Sequence, residues 1–274
     1  MMTKDNLIVL IKDMLHRYQE HQIRHISGSL AYFFTLAIFP LFIFIQALLG
    51  LFDVGLTGLL ENIESFSPQN VHDLLLLYIQ SISGQRIGLL SFGLISALYA
   101  ASIAVNSIMN AVLLAYGQKS KHSWYVNKAM ALFFTIMIGI SMSLFLIVPV
   151  LGSLVYPFLS DLLPNMTGLF DIVTISSWVI STTAIAGTLA LLYKIVPETG
   201  DDPTIWPGTI FALLGWLLGS TGFAYYVNHF ANYSTYGVFG SIMVFLLWLY
   251  ITGMMIILGA ELNDALDQIK SNHS

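Results

Sequence analysis

Three polar residues stand four positions apart in and just beyond a long apolar segment of the chain. Ser102, Asn106 and Asn110 therefore stack on one face of any helix that contains them. Such side chains either line a polar cavity or hydrogen-bond a neighbouring helix. We favour interhelical hydrogen bonds, each contributing ~0.6 to 2 kcal/mol, and keep a cavity lining as the alternative. The same choice applies to polar residues of two other apolar segments: Gln46, Ser177, Ser181 and Thr188.

Glu261 ends the last long apolar segment, and Asn263 follows it. A salt bridge from Glu261 to Lys194 or Lys128 would clamp two helices together. A carboxylate that faces water could instead bind a cation or a proton during transport. We favour the clamp. The candidate cavity or transport residues of the chain are Gln46, Ser102, Asn106, Asn110, Lys194, Glu261 and Asn263.

The sequence lacks the residue patterns that common enzyme classes require. It has no cysteine, and its seven histidines are scattered, so no apolar segment holds a histidine pair four apart beside a carboxylate. HExxH, GxSxG and Walker sequences are also absent. The net charge of −5 and the lack of a basic stripe argue against a nucleic-acid partner. We therefore predict no enzyme activity and no catalytic, metal or cofactor site.

The composition places the chain in a membrane. Of its 274 residues, 57% are hydrophobic and 9% are charged, and the mean hydropathy is +0.79. A helix needs ~20 apolar residues to cross a bilayer, and consecutive apolar residues exclude the alternating pattern of a β-barrel. We predict an all-α polytopic membrane protein with six transmembrane helices, at about residues 29–51, 87–108, 129–151, 172–193, 205–227 and 238–260.

Lysine and arginine indicate the orientation, because positive residues stay on the cytoplasmic side of a membrane. With the N-terminus inside, nine of the ten basic residues are cytoplasmic and Arg86 alone is outside. An even number of spans then puts both termini in the cytoplasm. The nine inner residues are Lys4, Lys12, Arg17, Arg24, Lys119, Lys121, Lys128, Lys194 and Lys270.

Residues 1–28 predict an amphipathic helix on the cytoplasmic face, because apolar and charged side chains separate at helical spacing. We interpret it as an anchor for the first span, with lipid sensing or partner binding as the alternative. We expect residues 29–266 to form one transmembrane domain with a helical extracytoplasmic loop at 52–86, and 267–274 to form a cytoplasmic tail. The apolar face of the first helix carries Leu7, Leu10, Ile11, Met14, Leu15 and Tyr18, and the polar face carries Lys12, Asp13, His16, Arg17 and Glu20.

Proline and glycine mark predicted kinks and close contacts. Pro40 lacks a backbone donor, so we expect it to kink the first span. Small residues repeated at helical spacing let a neighbouring helix approach closely. We favour such packing for the glycines of the fifth span and keep a hinge as the alternative. The glycines assigned to such packing are Gly215, Gly219, Gly222, Gly237 and Gly240.

The C-terminal third resembles the YihY/BrkB family of bacterial inner-membrane proteins. The segments 225–228, 233–240, 247–250 and 258–263 are similar to its signature, and earlier segments at 31–40, 110–117, 193–197 and 206–208 agree with it. The resemblance covers residues 27–266. The residues that carry it are Tyr32, Pro40, Tyr116, Gly117, Pro197, Pro207, Gly208, Tyr233, Tyr236, Gly237, Trp248, Gly259, Glu261 and Asn263.

The resemblance implies six spans in the bacterial plasma membrane and a role in envelope integrity or serum resistance. It supplies no agreed reaction. The family once carried the label ribonuclease BN, but this sequence offers no metal-binding histidine cluster, no nucleophile and no basic groove. The chain also departs from the family at Val112, Leu113 and Leu114, where family members often have charged residues.

Two functions from different classes fit these residues. The first is transport or translocation of a lipid, an envelope precursor or a small solute. The second is a non-transporting envelope organiser that binds partner proteins. The predicted partners are accordingly membrane lipids, a lipid or small-solute cargo, and a second copy of the chain or another envelope protein.

Overall fold

The structure, a computed structural model, describes residues 4–51, 86–162, 169–198, 203–230 and 233–271. Side chains in these ranges are described except at 4–7, 42, 44–51, 86–87, 89, 146–147, 149–162, 169–171, 227–230 and 233–241. Within the described residues the regular structure is entirely helical, which confirms the all-α fold. The helices are α1 (Lys4–Glu20), α2 (Ile23–Leu51), α3 (Arg86–Ala115), α4 (Trp124–Leu162), α5 (Leu169–Ile195), α6 (Trp206–Phe230) and α7 (Tyr233–Ser271).

Five of these helices contain a segment long and apolar enough to cross a membrane. The segments are Leu90–Ala115, Trp124–Phe145, Ile172–Ile195, Trp206–Tyr226 and Ile242–Ser271, and each overlaps one of the second to sixth predicted spans. The first predicted span lies in α2, which remains helical through Pro40. Because most side chains beyond residue 41 of α2 are outside the described set, that span and its kink stay predictions. The loop at 52–85 is likewise outside the described residues.

The chain divides into two compact units. One comprises 33–101, which contains the rest of α2 and the first half of α3. The other comprises 1–32 and 102–274. Within this larger unit α4 packs along α5, α6 packs along α7, and α1 and α5 contact α7 and α6 respectively. The short connections between α4 and α5 and between α6 and α7 explain this pairing, because they join antiparallel neighbours.

Hydroxyl groups join α4 to α5. The Ser141 and Thr188 hydroxyls lie 2.7 Å apart, and Ser181 Oγ donates to the Leu144 carbonyl at 3.1 Å. Ser177 Oγ donates to the Val173 carbonyl within α5. Ser181 and Thr188, two of the polar residues singled out in the fourth predicted span, therefore hydrogen-bond the neighbouring helix α4.

Glycines bring α6 close to α7. A Cβ added to Gly215 would lie 2.5 Å from Met255 Sδ, and one added to Gly219 would lie 3.1 Å from Ile251 Cγ2. A Cβ on Gly222 would meet nothing within 4 Å. Gly215 and Gly219 thus face α7, whereas Gly222 does not. Gly237 and Gly240 lie in the part of α7 whose side chains are not described.

Candidate functional site

Arg17 is buried where α1 packs against α7. Its Nη1 atom donates to Asp264 Oδ2 at 2.7 Å, and to Glu261 Oε2 and the Ala115 carbonyl at 3.3 Å each. Its Nε atom donates to Asp13 Oδ2 at 2.8 Å. The sequence placed Arg17 on the solvated face of α1, but only 7% of the residue is exposed. The helix is turned so that this cation joins α1, the end of α3 and α7.

Glu261 is fully buried, and its partners differ from the predicted ones. His21 Nδ1 lies 2.6 Å from Glu261 Oε1, and Arg17 reaches the other oxygen. The sequence offered Lys194 or Lys128 instead. Lys194 is exposed at the end of α5, and Lys128 Nζ donates to Ser102 Oγ at 2.7 Å. Glu261 therefore joins α7 to α1 and to the turn that follows it.

We call Asp13, Arg17, His21, Glu261 and Asp264 the charged cluster. It contains three carboxylates against one guanidinium, so its charge is −2 with a neutral His21 and −1 with a protonated one. Burial lowers the pKa of the Arg17 guanidinium, but its bonds to Asp264 and Asp13 raise it by more, so the pKa lies above its ordinary value. Arg17 therefore stays charged, and the cluster keeps an excess of negative charge.

A cavity of about 350 Å³ opens beside the charged cluster. Asp13, Arg17, His21 and Asp264 contribute to its wall, whereas Glu261 does not. His21 thus lies between the cavity and the buried carboxylate. The other lining residues are His16, Glu20, Ala115, Tyr116, Gly117 and Gln268.

The turn after α3 forms one wall of this cavity through a Schellman motif. Gly117 has φ of +61°, its N–H donates to the Leu114 carbonyl at 2.9 Å, and the Gln118 N–H donates to the Leu113 carbonyl at 2.8 Å. The left-handed conformation suits glycine, which has no Cβ to clash. This requirement gives a physical reason for the glycine in the Tyr-Gly pair of the family signature.

Tyr116 presents a buried hydroxyl at the same place. Asn263 is its near neighbour, but among the described residues no group meets the hydroxyl in hydrogen-bond geometry. Burial, reinforced by the charges of Asp267 and Asp264, raises the pKa of Tyr116 above its ordinary value. The hydroxyl is therefore neutral and adds no charge to the cluster.

Side chains of α7 cap the start of α6. Asn263 Oδ1 accepts from the Gly208 N–H at 2.6 Å, and its Nδ2 donates to the Ile205 carbonyl at 3.1 Å. The Asp267 carboxylate accepts from the Thr204 N–H at 3.0 and 3.2 Å. The first N–H groups of a helix need such acceptors, and Ile205 cannot supply one from its side chain. Asn263 thus performs from α7 the role of an N-cap residue.

Two glycines permit this capping contact. A Cβ on Gly208 would lie 2.0 Å from the Gly259 carbonyl oxygen, and one on Gly259 would lie 2.5 Å from the Tyr193 hydroxyl. That hydroxyl donates to the Ile256 carbonyl at 2.7 Å. Close backbone approach therefore explains why glycine stands at 208 and 259. Pro207 does not destabilise α6, because a backbone N–H in the first turn of a helix has no acceptor within the helix, and proline therefore loses no hydrogen bond there.

The segments predicted to be cytoplasmic meet at one end of the larger unit. One such contact is that of α1 with α7. A second joins the loop after α3 to the segment that follows α5. Gln118 exchanges hydrogen bonds with the backbone of Glu198, and Lys121 Nζ lies 2.7 Å from Glu198 Oε2. The Lys121 ion pair lowers the pKa of the exposed Glu198. Their position at a shared end agrees with the predicted alternation of the spans in direction, while the side of the membrane stays a prediction.

Ser102, Asn106 and Asn110, which lie in the larger unit, are not among the residues that line the cavity. Ser102 is buried against Lys128, Asn106 is half-buried and Asn110 is exposed. Trp248 Nε1 donates to Ser220 Oγ at 3.1 Å, joining α7 to α6. Tyr32 is exposed and Pro197 is buried. Three further residues, Gln46, Tyr233 and Tyr236, lie in helices at positions whose side chains are not described.

The sequence reasoning missed Arg17, His21 and Asp264. One available signal was the spacing of Glu261 and Asp264, which are three positions apart and so share a helix face. Two carboxylates on one face at the end of an apolar helix require a cation. Nothing local in the sequence showed that the cation comes from Arg17, 244 positions earlier.

Comparisons with known proteins identify the family. The model for virulence factor BrkB matches residues 14–274, which confirms the resemblance. The chain is 33% identical to "Putative ribonuclease-like protein YfkH" of Bacillus subtilis (strain 168), over 95% of this chain and 96% of that protein. It is 26% identical to UPF0761 membrane protein MS0032 of Mannheimia succiniciproducens, over 93% and 88% of the two chains. No solved structure matches. The chain belongs to the virulence factor BrkB family of membrane proteins.

Proposed function

We propose that this protein is a transporter of the bacterial plasma membrane, which moves a lipid, an envelope precursor or a small solute and thereby supports envelope integrity. The observation that carries the proposal is the charged cluster, in which Arg17, Glu261 and Asp264 are buried, beside an open cavity at one end of an apolar helical unit. Charges are expensive in such surroundings, and in membrane proteins they mark transport paths and proton relays.

A purely structural clamp does not need charges at this position. Replacement of a buried ion pair by apolar residues of similar size is often neutral or stabilising. Leucine or methionine at 17, 261 and 264 would hold α1 against α7 without desolvating three charged groups. The presence of three carboxylates around one guanidinium therefore favours a role in function over a role in packing.

The contacts suggest how the cluster acts. Arg17 joins α1, the Ala115 carbonyl at the end of α3, and α7 through the bonds described above. Movement of α1 away from α7 would break these bonds together and widen the adjacent cavity. We propose that α1 is the gate of the transport path at this end and that the charged cluster holds it closed.

Reconstitution into liposomes tests transport. The two probes are a fluorescent NBD-labelled phosphatidylglycerol, followed by dithionite quenching, and carboxyfluorescein, followed by its release. We expect the parent protein to exceed empty vesicles with one of the probes, and Glu261→Gln to change that rate. The matched control is Glu198→Gln, because Glu198 is an exposed carboxylate at the same end. Rates equal to those of empty vesicles with both probes would count against transport.

A second candidate function is that of an envelope organiser. The observation in its favour is the outward face of α1, where four large apolar side chains are about half-exposed or more: Ile8, Val9, Ile11 and Leu15. Such a face binds either lipid or a partner protein. Photocrosslinking from Leu15 in cells distinguishes the two, since an organiser gives one stable protein adduct and a membrane anchor gives lipid adducts.

We do not propose ribonuclease activity, although the name of the relative from Bacillus subtilis contains that word. The cavity wall carries Asp13, Glu20 and Asp264, whose charges repel phosphodiesters. Groups of histidine and acidic residues suited to a metal ion are absent from the part of the chain that the structure describes. Purified protein should therefore cleave labelled RNA no faster than its Glu261→Gln variant.

A further inference from the structure

We infer that His21 and Glu261 together form a proton-binding site that is filled from the cavity and controls the contact of α1 with α7. The inference rests on the proposed transport function and names its coupling ion. The two groups are 2.6 Å apart, and the Glu261 side chain is 1% exposed against 19% for His21. Since His21 lines the cavity and Glu261 does not, a proton can reach the carboxylate through the imidazole.

Carboxylates outnumber the guanidinium around the pair. On α1, Asp13, His16, Arg17 and Glu20 line the same cavity as His21, and on α7 Asp264 lines it. Arg17 lies 2.7 and 2.8 Å from these two aspartates but 3.3 Å from Glu261. The guanidinium charge is thus shared among three carboxylates, and Glu261 receives the weakest part of it. The end of α3 contributes only a carbonyl oxygen and the neutral hydroxyl of Tyr116.

The proton balance of the site is simple. Without the extra proton, neutral His21 donates its Nδ1–H to the Glu261 carboxylate, and the charged cluster carries −2. Water in the cavity delivers one proton to the imidazole, which gives an imidazolium paired with the carboxylate and a cluster charge of −1. The same proton leaves to cavity water, so no other bond is made or broken.

Protonation therefore strengthens the contact between α1 and α7. The imidazolium belongs to the turn after α1 and the carboxylate to α7, so the added charge pulls the two elements together. Loss of the proton leaves one guanidinium to balance three carboxylates. The carboxylates then repel one another more strongly. The gate closes when the pair is protonated and loosens when the proton leaves.

Cysteine labelling tests this inference without knowledge of the cargo, because the chain has no native cysteine. Leu10 is buried on α1, whereas Ile8 is 53% exposed. Leu10→Cys and Ile8→Cys variants in nanodiscs are alkylated with a maleimide between pH 6 and pH 8. The ratio of the two rates removes the intrinsic pH dependence of thiol reactivity. Linkage to one proton allows this ratio to rise by up to about tenfold per pH unit.

We expect the ratio to rise several-fold with pH in the parent background and to become flat with His21→Gln and with Glu261→Gln. The matched control is His25→Gln, which changes an exposed histidine of α2 and should leave the rise intact. A flat ratio in the parent background, or a rise that survives both substitutions, would overturn the inference. Flux with a flat ratio refutes the proton site alone, and a pH-dependent ratio without flux refutes transport alone.

Discussion

The Nδ1 atom of His21 lies 2.6 Å from Oε1 of Glu261, although 240 positions of sequence separate the two residues. The contact joins the turn after the first helix to the last helix, so it connects the two ends of the chain within the larger structural unit. With Arg17 on the other carboxylate oxygen, it places one nitrogen atom against each oxygen of a fully buried acid. The arrangement links the position of α1 to the charge state of a single site.

Arg17→Met should strongly destabilise the protein, because it leaves Asp264 and Glu261 buried without their cation. Removal of one partner of a buried ion pair costs about 3 to 5 kcal/mol. Arg17→Lys should restore only part of the loss, since one ammonium cannot reproduce the bonds that two guanidinium nitrogens make. The measurement is the midpoint of thermal unfolding in detergent. The control is Lys121→Met at an exposed pair, and an equal midpoint for Arg17→Met and this control would contradict the prediction.

Gly208→Ala should disrupt the packing of α6 on α7. Its Cβ would lie 2.0 Å from the backbone oxygen of Gly259 and 2.6 Å from Asn263, so backbone must move and the cap on α6 is lost. The same substitution at Gly222, where the added atom meets open space, should be tolerated and gain helix propensity. Size-exclusion profiles and unfolding midpoints of the two variants provide the comparison. Equal behaviour would show that the α6 to α7 contact is looser than described.

The cytoplasmic location of the charged end can be tested with single cysteines in a chain that has none of its own. Ser120→Cys, in the exposed loop after α3, should react with a membrane-impermeant maleimide only after the cells are permeabilised. Ser67→Cys, in the segment predicted to be outside, should react in intact cells. The reverse pattern would invert the predicted orientation.

The helices could be predicted from sequence because their signal is local. Consecutive apolar residues identified the segments that correspond to α3 through α7, although the helices extend beyond the predicted spans; α7 runs from Tyr233 to Ser271, where the predicted span ends at 260. Charged residues in the last turns carry no hydropathy signal, but they continue the same helix. Helix ends were therefore less predictable than helix positions.

The candidate site was predicted only in part. Glu261 was selected because a carboxylate at the end of an apolar segment needs a partner, and the structure gives it two. The partners could not be predicted, because the amphipathic pattern of α1 assigns every charged residue to solvent. Burial of Arg17 depends on how α1 rotates against α7, and that rotation is set by a contact across 247 positions with Asp264. Local periodicity contains no information about such a contact.

The most direct test of the central claim removes the charges while preserving the packing. The variant Arg17→Met, Glu261→Leu, Asp264→Leu replaces the buried ionic groups with apolar side chains of similar size, a change that is often neutral or stabilising in other proteins. Its unfolding midpoint and its flux in liposomes are measured beside those of the parent. The account predicts a folded protein, at least as stable as the parent, that transports neither probe above the level of empty vesicles. Flux equal to that of the parent would show that the charged cluster is dispensable and would contradict the account.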